Sequence, residues 1–219
     1  GGPSLHAAAS MAVKASKQTA RRRIGQRCHI ARWSPDPGAS SASLVRVFVR
    51  DEAVVLGIDP GLTRCGYAVL HAAGNTVRPI ALGVIRTPPT DPLPTRLAEL
   101  KGELVLLLQQ YRPFAVAVEQ VFFQTNVRTA MSVGQASGLA LAEAAAFGCD
   151  VVQFTPNQVK DCVAGWGGAD KAQVQRMVQA RLGLSAPPKP ADAADAAALA
   201  LCYIAAAPMR RRIAQAVAR

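Results

Sequence analysis

The stretch Val54-Val55-Leu56-Gly57-Ile58-Asp59-Pro60-Gly61 limits what this chain can become more than any other. Apolar residues closed by Gly, Asp, Pro and Gly predict a buried strand that ends in a sharp turn. Asp59 therefore sits at a strand end. The apolar pattern resumes at Cys65-Gly66-Tyr67-Ala68-Val69-Leu70, so the two segments predict a hairpin with a central first strand and the acid at its tip. An ionised carboxylate among buried strands needs a partner, and a metal ion is one answer.

The same pattern recurs at Ala115-Val116-Ala117-Val118-Glu119, a second central-strand candidate ending in one acid. Before it, three strands are expected at about Ala53 to Asp59, Arg64 to His71 and Val77 to Arg86, with Gly74-Asn75 as a turn. A helix from about Thr95 to Tyr111 follows, carrying Leu97, Leu100, Leu104 and Leu107/Leu108 at helical spacing. After Glu119 the pattern predicts a helix from about Asn126 to Phe147, with Gly134 and Gly138 on one face beside Met131 and Leu141. A short strand at Asp150 to Phe154 comes next. Thr155-Pro156 opens a helix with a capping residue and a proline at its first position, and Gly165-Trp166-Gly167-Gly168 ends it. Two further helices, about Lys171 to Leu182 and Ala191 to Ala206, flank the Pro187-Pro188-Lys189-Pro190 break. This order predicts a mixed α/β layer fold, five strands flanked by helices.

Two hundred and nineteen residues, half of them hydrophobic, suffice for one sizeable core and one domain. No apolar stretch is expected to reach the length of a membrane span, since the alanine-rich segments near Leu139 to Phe147 and Ala196 to Ala207 are short and follow charged residues. The five cysteines are scattered without a C-x-x-C pair, which argues against a disulfide framework or a zinc knuckle and fits a reducing cytoplasm. The net charge of +11 points to a polyanionic partner, but it is unevenly spread. Residues 1–50 carry nine Lys/Arg and one acid, whereas residues 51–207 carry 12 basic and 13 acidic residues. Residues 1–50 are expected to be a disordered basic extension, or to follow from a start placed upstream of Val47, Val49 or Met11; an organellar transit segment is a further reading. Residues 51–207 form the expected domain, and 208–219 a basic tail whose phosphate affinity salt would weaken.

Asp192 and Asp195 lie three residues apart, on one face of the first turn of the last helix. Alone, this pair is explained by the helix dipole, Asp59 by turn chemistry, and Glu119 by a buried ion pair. Together they are harder to explain, because several like charges converging in a dry place repel unless cations hold them.

Gly57-Ile58-Asp59-Pro60-Gly61, Glu119-Gln120-Val121-Phe122-Phe123, Gly134-Gln135-Ala136-Ser137-Gly138 and Asp192-Ala193-Ala194-Asp195-Ala196, in this order over about Val54 to Tyr203, resemble the motifs of the RuvC family of bacterial Holliday-junction resolvases. Gln158-Val159-Lys160 and Lys171 add to the match. The resemblance implies an RNase H-like fold, a homodimer, and paired symmetric nicking of four-way DNA junctions in recombination and repair, leaving 5′-phosphate and 3′-hydroxyl ends. It implies two Mg²⁺ ions per subunit, replaceable by Mn²⁺, held by Asp59, Glu119, Asp192 and Asp195 as the catalytic acids. It implies phosphate contacts from Lys160 and Lys171, base stacking by Phe122, a cytoplasmic location, no membrane partner, and RuvA and RuvB as branch-migration partners. On residue grounds alone the two lysines also suit solvated helix faces, and Phe122 a core aromatic. The basic extension has no counterpart in the motifs.

Asp59-Pro60-Gly61-Leu62-Thr63 also resembles the first phosphate loop of the sugar-kinase and actin ATPases, but the second phosphate loop and adenosine motif are missing. A catalytically silent junction-binding module would be expected to lack an acid, and all four are present.

Overall fold

The computed structural model describes residues 52–121 and 127–217. The basic extension and Phe122 lie outside the described residues, as do the side chains of residues 127–129 and 210–217. Five strands and five helices follow one another as β1 (Glu52–Asp59), β2 (Arg64–Ala73), β3 (Thr76–Arg86), α1 (Leu93–Tyr111), β4 (Ala115–Glu119), α2 (Val127–Ala146), β5 (Asp150–Phe154), α3 (Pro156–Ala164), α4 (Lys171–Arg181) and α5 (Ala191–Val217).

The strands form one sheet in the order β3-β2-β1-β4-β5. The meander β1-β2-β3 is antiparallel, while β4 runs parallel to β1 and β5 parallel to β4. Central strands bury both faces, and parallel ones read as continuous apolar runs for that reason. Thus Val55 belongs to the core beneath α3, α4 and α5, and Leu56 and Ile58 to the core beneath α1 and α2. The register pairs Ile58 with Val118, so Asp59 and Glu119 emerge side by side where the two strands end.

Helix α5 is the main element of one face. Ala193, Ala196, Ala197, Ala198 and Ala200 are fully buried, and the glycines of the sheet let this helix approach closely. A Cβ on Gly57 would lie 1.9 Å from the Ala196 carbonyl oxygen, and one on Gly66 2.1 Å from that of Asp192. These are impossible contacts for any other residue. At the far side of the sheet the Tyr203 hydroxyl donates to Asp150 Oδ2 at 2.8 Å.

Three expectations are corrected. The last helix does not stop at Ala206 but continues through Pro208 to Val217. An interior proline forfeits only the bond to the carbonyl four residues back, here that of Ile204, which a helix can survive. The segment Ala191–Met209 is, moreover, long and apolar enough to cross a membrane. Its apolarity is that of a core helix, since more than half of it is buried inside the fold. Finally, α2 does not group Leu141 with Met131 and the two glycines. Leu141 packs towards the core with Ala136, Ala140 and Ala144, whereas Met131, Gly134 and Gly138 face outward.

Candidate active site

Four acids from three elements meet at the carboxyl ends of β1 and β4. Asp59 and Glu119 are brought together by strand register, and Asp192 and Asp195 by the docking of α5 on Gly57 and Gly66. Helical spacing then turns both aspartates of α5 towards the same end of the sheet.

The acids divide into partnerships. The carboxyl groups of Asp59 and Glu119 are hydrogen-bonded to each other. Burial pushes Asp59 up to about 8, helped by the nearby charges of Glu119, Asp195 and Asp192. It therefore keeps its proton near neutrality and donates it to Glu119. Burial also raises Glu119, although the bond from Asp59 works in the opposite direction. Asp192 is paired with the Arg64 guanidinium, whose Nε donates at 3.2 Å and whose Nη2 donates to the same oxygen, Oδ2. That bond holds Asp192 below the usual carboxylate range. Lys171 Nζ donates to Asp195 Oδ2 at 2.7 Å, which raises the lysine.

Lys171 reaches this position because it is the first residue of α4, whose N-terminus is fixed by a capping box between Asp170 and Gln173. The equivalent box between Thr155 and Gln158 fixes the start of α3, which carries Lys160. Lys171 is bonded to Asp195, whereas Lys160 makes no hydrogen bond or ion pair with the acids among the described residues.

The loop from Asp59 to Arg64 is braced from behind. Thr87 Oγ1 donates to the Leu62 carbonyl at 2.6 Å, and Arg96 of α1 donates to Thr87 Oγ1 at 3.0 Å and to Thr63 Oγ1 at 2.6 Å. Neither Arg64 nor Arg96 was singled out by sequence reasoning. Arg64 reads as an ordinary first residue of a strand, and its proximity to Asp192, 128 residues away, has no local signal.

Among the described residues no three acids converge on one point as they stand, since Arg64 and Lys171 each claim one carboxylate. The donor set nevertheless fits hard divalent cations. All four acids offer oxygen, no His or Cys ligand stands among them, and Asp59 retains a proton because burial and the neighbouring carboxylates disfavour its charge.

Residues 55–203 match the family model described as crossover junction endodeoxyribonuclease RuvC. The chain is 51% identical over 166 residues to the crossover junction endodeoxyribonuclease RuvC of Salinispora arenicola, covering 75% of this chain and 95% of the relative. It is 52% identical to the Streptomyces avermitilis protein of that name over 165 residues, covering 75% of this chain and 94% of the relative. Among solved structures it resembles Thermus thermophilus RuvC in complex with Holliday junction substrate, with a TM-score of 0.69 and 38% identity over 73% of this chain and 97% of that one. The yeast mitochondrial Holliday junction resolvase Ydc2 shares the fold at 16% identity and a TM-score of 0.55, covering 74% of this chain and 85% of that one. With residues 55–203 matched by that family model and 51–52% identity to the two bacterial relatives over three quarters of its length, the chain belongs to the RuvC family of crossover junction endodeoxyribonucleases.

Proposed function

We propose that this protein cuts four-way DNA junctions by paired, symmetric, metal-dependent hydrolysis at the site built by Asp59, Glu119, Asp192 and Asp195. The observation that carries the reading is the strand register that sets Asp59 beside Glu119, two buried carboxylates that share a proton. Two Mg²⁺ ions, or Mn²⁺ in their place, would be held by the four carboxylates and would activate the attacking water and stabilise the leaving 3′ oxygen.

The chain's own residues then have distinct tasks. Asp59 and Glu119 share a proton as they stand, and their carboxylates would hold a divalent cation once that proton is given up. Arg64 and Lys171 hold Asp192 and Asp195 in place, and their positive charges would meet DNA phosphates beside a site whose carboxylates hold cations. Lys160 and Phe122 complete the proposed DNA surface, by phosphate contact and base stacking. The products would carry 5′-phosphate and 3′-hydroxyl ends.

Resolution into two intact duplexes needs two like strands cut at equivalent positions, so one site per molecule calls for a two-fold dimer. The outward face of α2 suits that contact. Met131 is 59% exposed there, and a Cβ at Gly134 or Gly138 would meet nothing within 4 Å in the same chain. As the family resemblance implies, we extend this reading to a cytoplasmic setting and to RuvA and RuvB as branch-migration partners.

Glu119→Gln, Asp192→Asn and Asp195→Asn test the assignment. Each is expected to bind a synthetic four-way junction in Ca²⁺ as tightly as the parent and to cut it in Mg²⁺ not at all. Cutting by any variant removes that residue from the site.

A further inference from the structure

Cysteine spacing gives no sign of a pair, yet two thiols 40 positions apart in sequence are neighbours in the fold. Cys162 lies on α3 and Cys202 on α5, both packed into the same apolar cluster, with Cys202 set against α3 at Val159, one turn before Cys162. Cys202 is 1% exposed, with its Sγ 3.9 Å from the Val159 carbonyl oxygen. Cys162 is partly exposed, at the edge of the same cluster. Arg181, at the end of α4, donates to the Cys162 carbonyl at 3.0 Å and places its guanidinium beside the thiol.

These surroundings separate Cys162 from the other described thiols. Cys65 is buried, and burial pushes it up to about 12. The Cys149 sulfur is engaged by the Pro113 carbonyl at 3.3 Å. For Cys162 the Cys202 thiol, reinforced by Arg181, favours the thiolate and lowers its titration below the ordinary thiol range. A reachable thiolate beside a cation and against a second, protected thiol is the arrangement that oxidises selectively and reversibly.

We propose that Cys162 and Cys202 are a peroxide-responsive dithiol that closes to a disulfide tying α3 to α5. Cys162 sulfur attacks hydrogen peroxide, forming an S–O bond as the O–O bond breaks, and the departing hydroxide takes a proton to become water. The Cys202 thiol then attacks that sulfur; the S–S bond forms, the S–O bond breaks, and hydroxide leaves with the Cys202 proton as a second water. Two thiols lose two electrons and one peroxide gains them. The tie would join the helix of Lys160 to the helix of Asp192 and Asp195.

The test uses the full reduced chain, treated with one equivalent of hydrogen peroxide and then alkylated for mass spectrometry. The expected result is a fall from five alkylated cysteines to three, with tryptic peptide 161–171 joined to peptide 182–210 and complete reversal by dithiothreitol. Cys162→Ser should leave Cys202 reduced under the same treatment, and Cys202→Ala should leave a sulfenic acid at Cys162 that dimedone traps. The substitution at partly exposed Cys162 keeps the test decisive if the buried Cys202 variant does not fold. Oxidation to sulfinic acid at Cys162 with Cys202 still free, preferential loss of Cys28 or Cys149, or no loss of thiols overturns the proposal.

Discussion

Asp59→Asn should make the metal-free protein more stable while abolishing cleavage. Asp59 titrates at about 8 in the fold against 3.8 as a model acid, and each pKa unit is worth about 1.36 kcal/mol. Holding the ionised group in place at pH 8 therefore costs at most about 5 kcal/mol by linkage. Partial solvent access and relaxation of Glu119 reduce this, and about 2–3 kcal/mol is the expected gain on substitution. Asparagine keeps a donor for Glu119 and removes the charge. The sign follows from the upward shift: the contribution of Asp59 to stability is complete below pH 4 and is lost as pH rises towards 8. The variant escapes that loss. Thermal melts in EDTA should show Asp59→Asn about 5–10 °C above the parent at pH 8. The two should nearly coincide at pH 4.5. Adding Mg²⁺ at pH 8 should raise the parent's midpoint and leave the variant's almost unchanged, because only the parent binds the ions tightly. A variant no more stable than the parent at pH 8, or equally more stable at both pH values, would refute the reasoning.

Gly66→Ala pushes a methyl group against the Asp192 carbonyl, so α5 must shift at its first turn. A stability loss of about 2–3 kcal/mol in denaturant melts and a fall in cleavage of about 100-fold are expected. Lys171→Ala should change the melting midpoint little, since an exposed pair contributes at most about 1 kcal/mol, while cleavage at saturating junction falls at least about tenfold. Equal cleavage by this variant would leave Lys171 as a mere counter-charge for Asp195. Gly134→Leu should keep the fold, as a Cβ at this exposed position meets nothing within 4 Å, but sediment as a monomer that nicks single strands without paired resolution.

The central sheet and its acids were legible because they rest on local patterns. The runs ending in Asp59 and Glu119 are apolar throughout because β1 and β4 are buried on both faces, and turn residues end the run at Asp59. The spacing of Asp192 and Asp195 likewise carried their shared face. The rest depended on contacts that no local pattern encodes. Gly57 and Gly66 look like weak points in two strands, and only the docked α5 explains them. Arg64 is indistinguishable from any polar strand residue until Asp192 stands beside it. Cys162 and Cys202 become a pair only through the packing of α3 on α5. The end of α5 was misjudged because Pro208 is a breaker by propensity, yet a helix already held along its buried length tolerates one missing bond.

Strand-by-strand mapping of cuts in a mobile four-way junction, with a linear duplex of the same sequence as control, tests metal-dependent junction resolution most directly. In Mg²⁺ the protein should nick two strands of like polarity at symmetric positions, leave ligatable 5′-phosphate ends, and spare the duplex; in EDTA it should cut neither. Cutting that persists in EDTA, or that proceeds equally on the linear duplex, contradicts a metal-dependent junction resolvase built on Asp59, Glu119, Asp192 and Asp195.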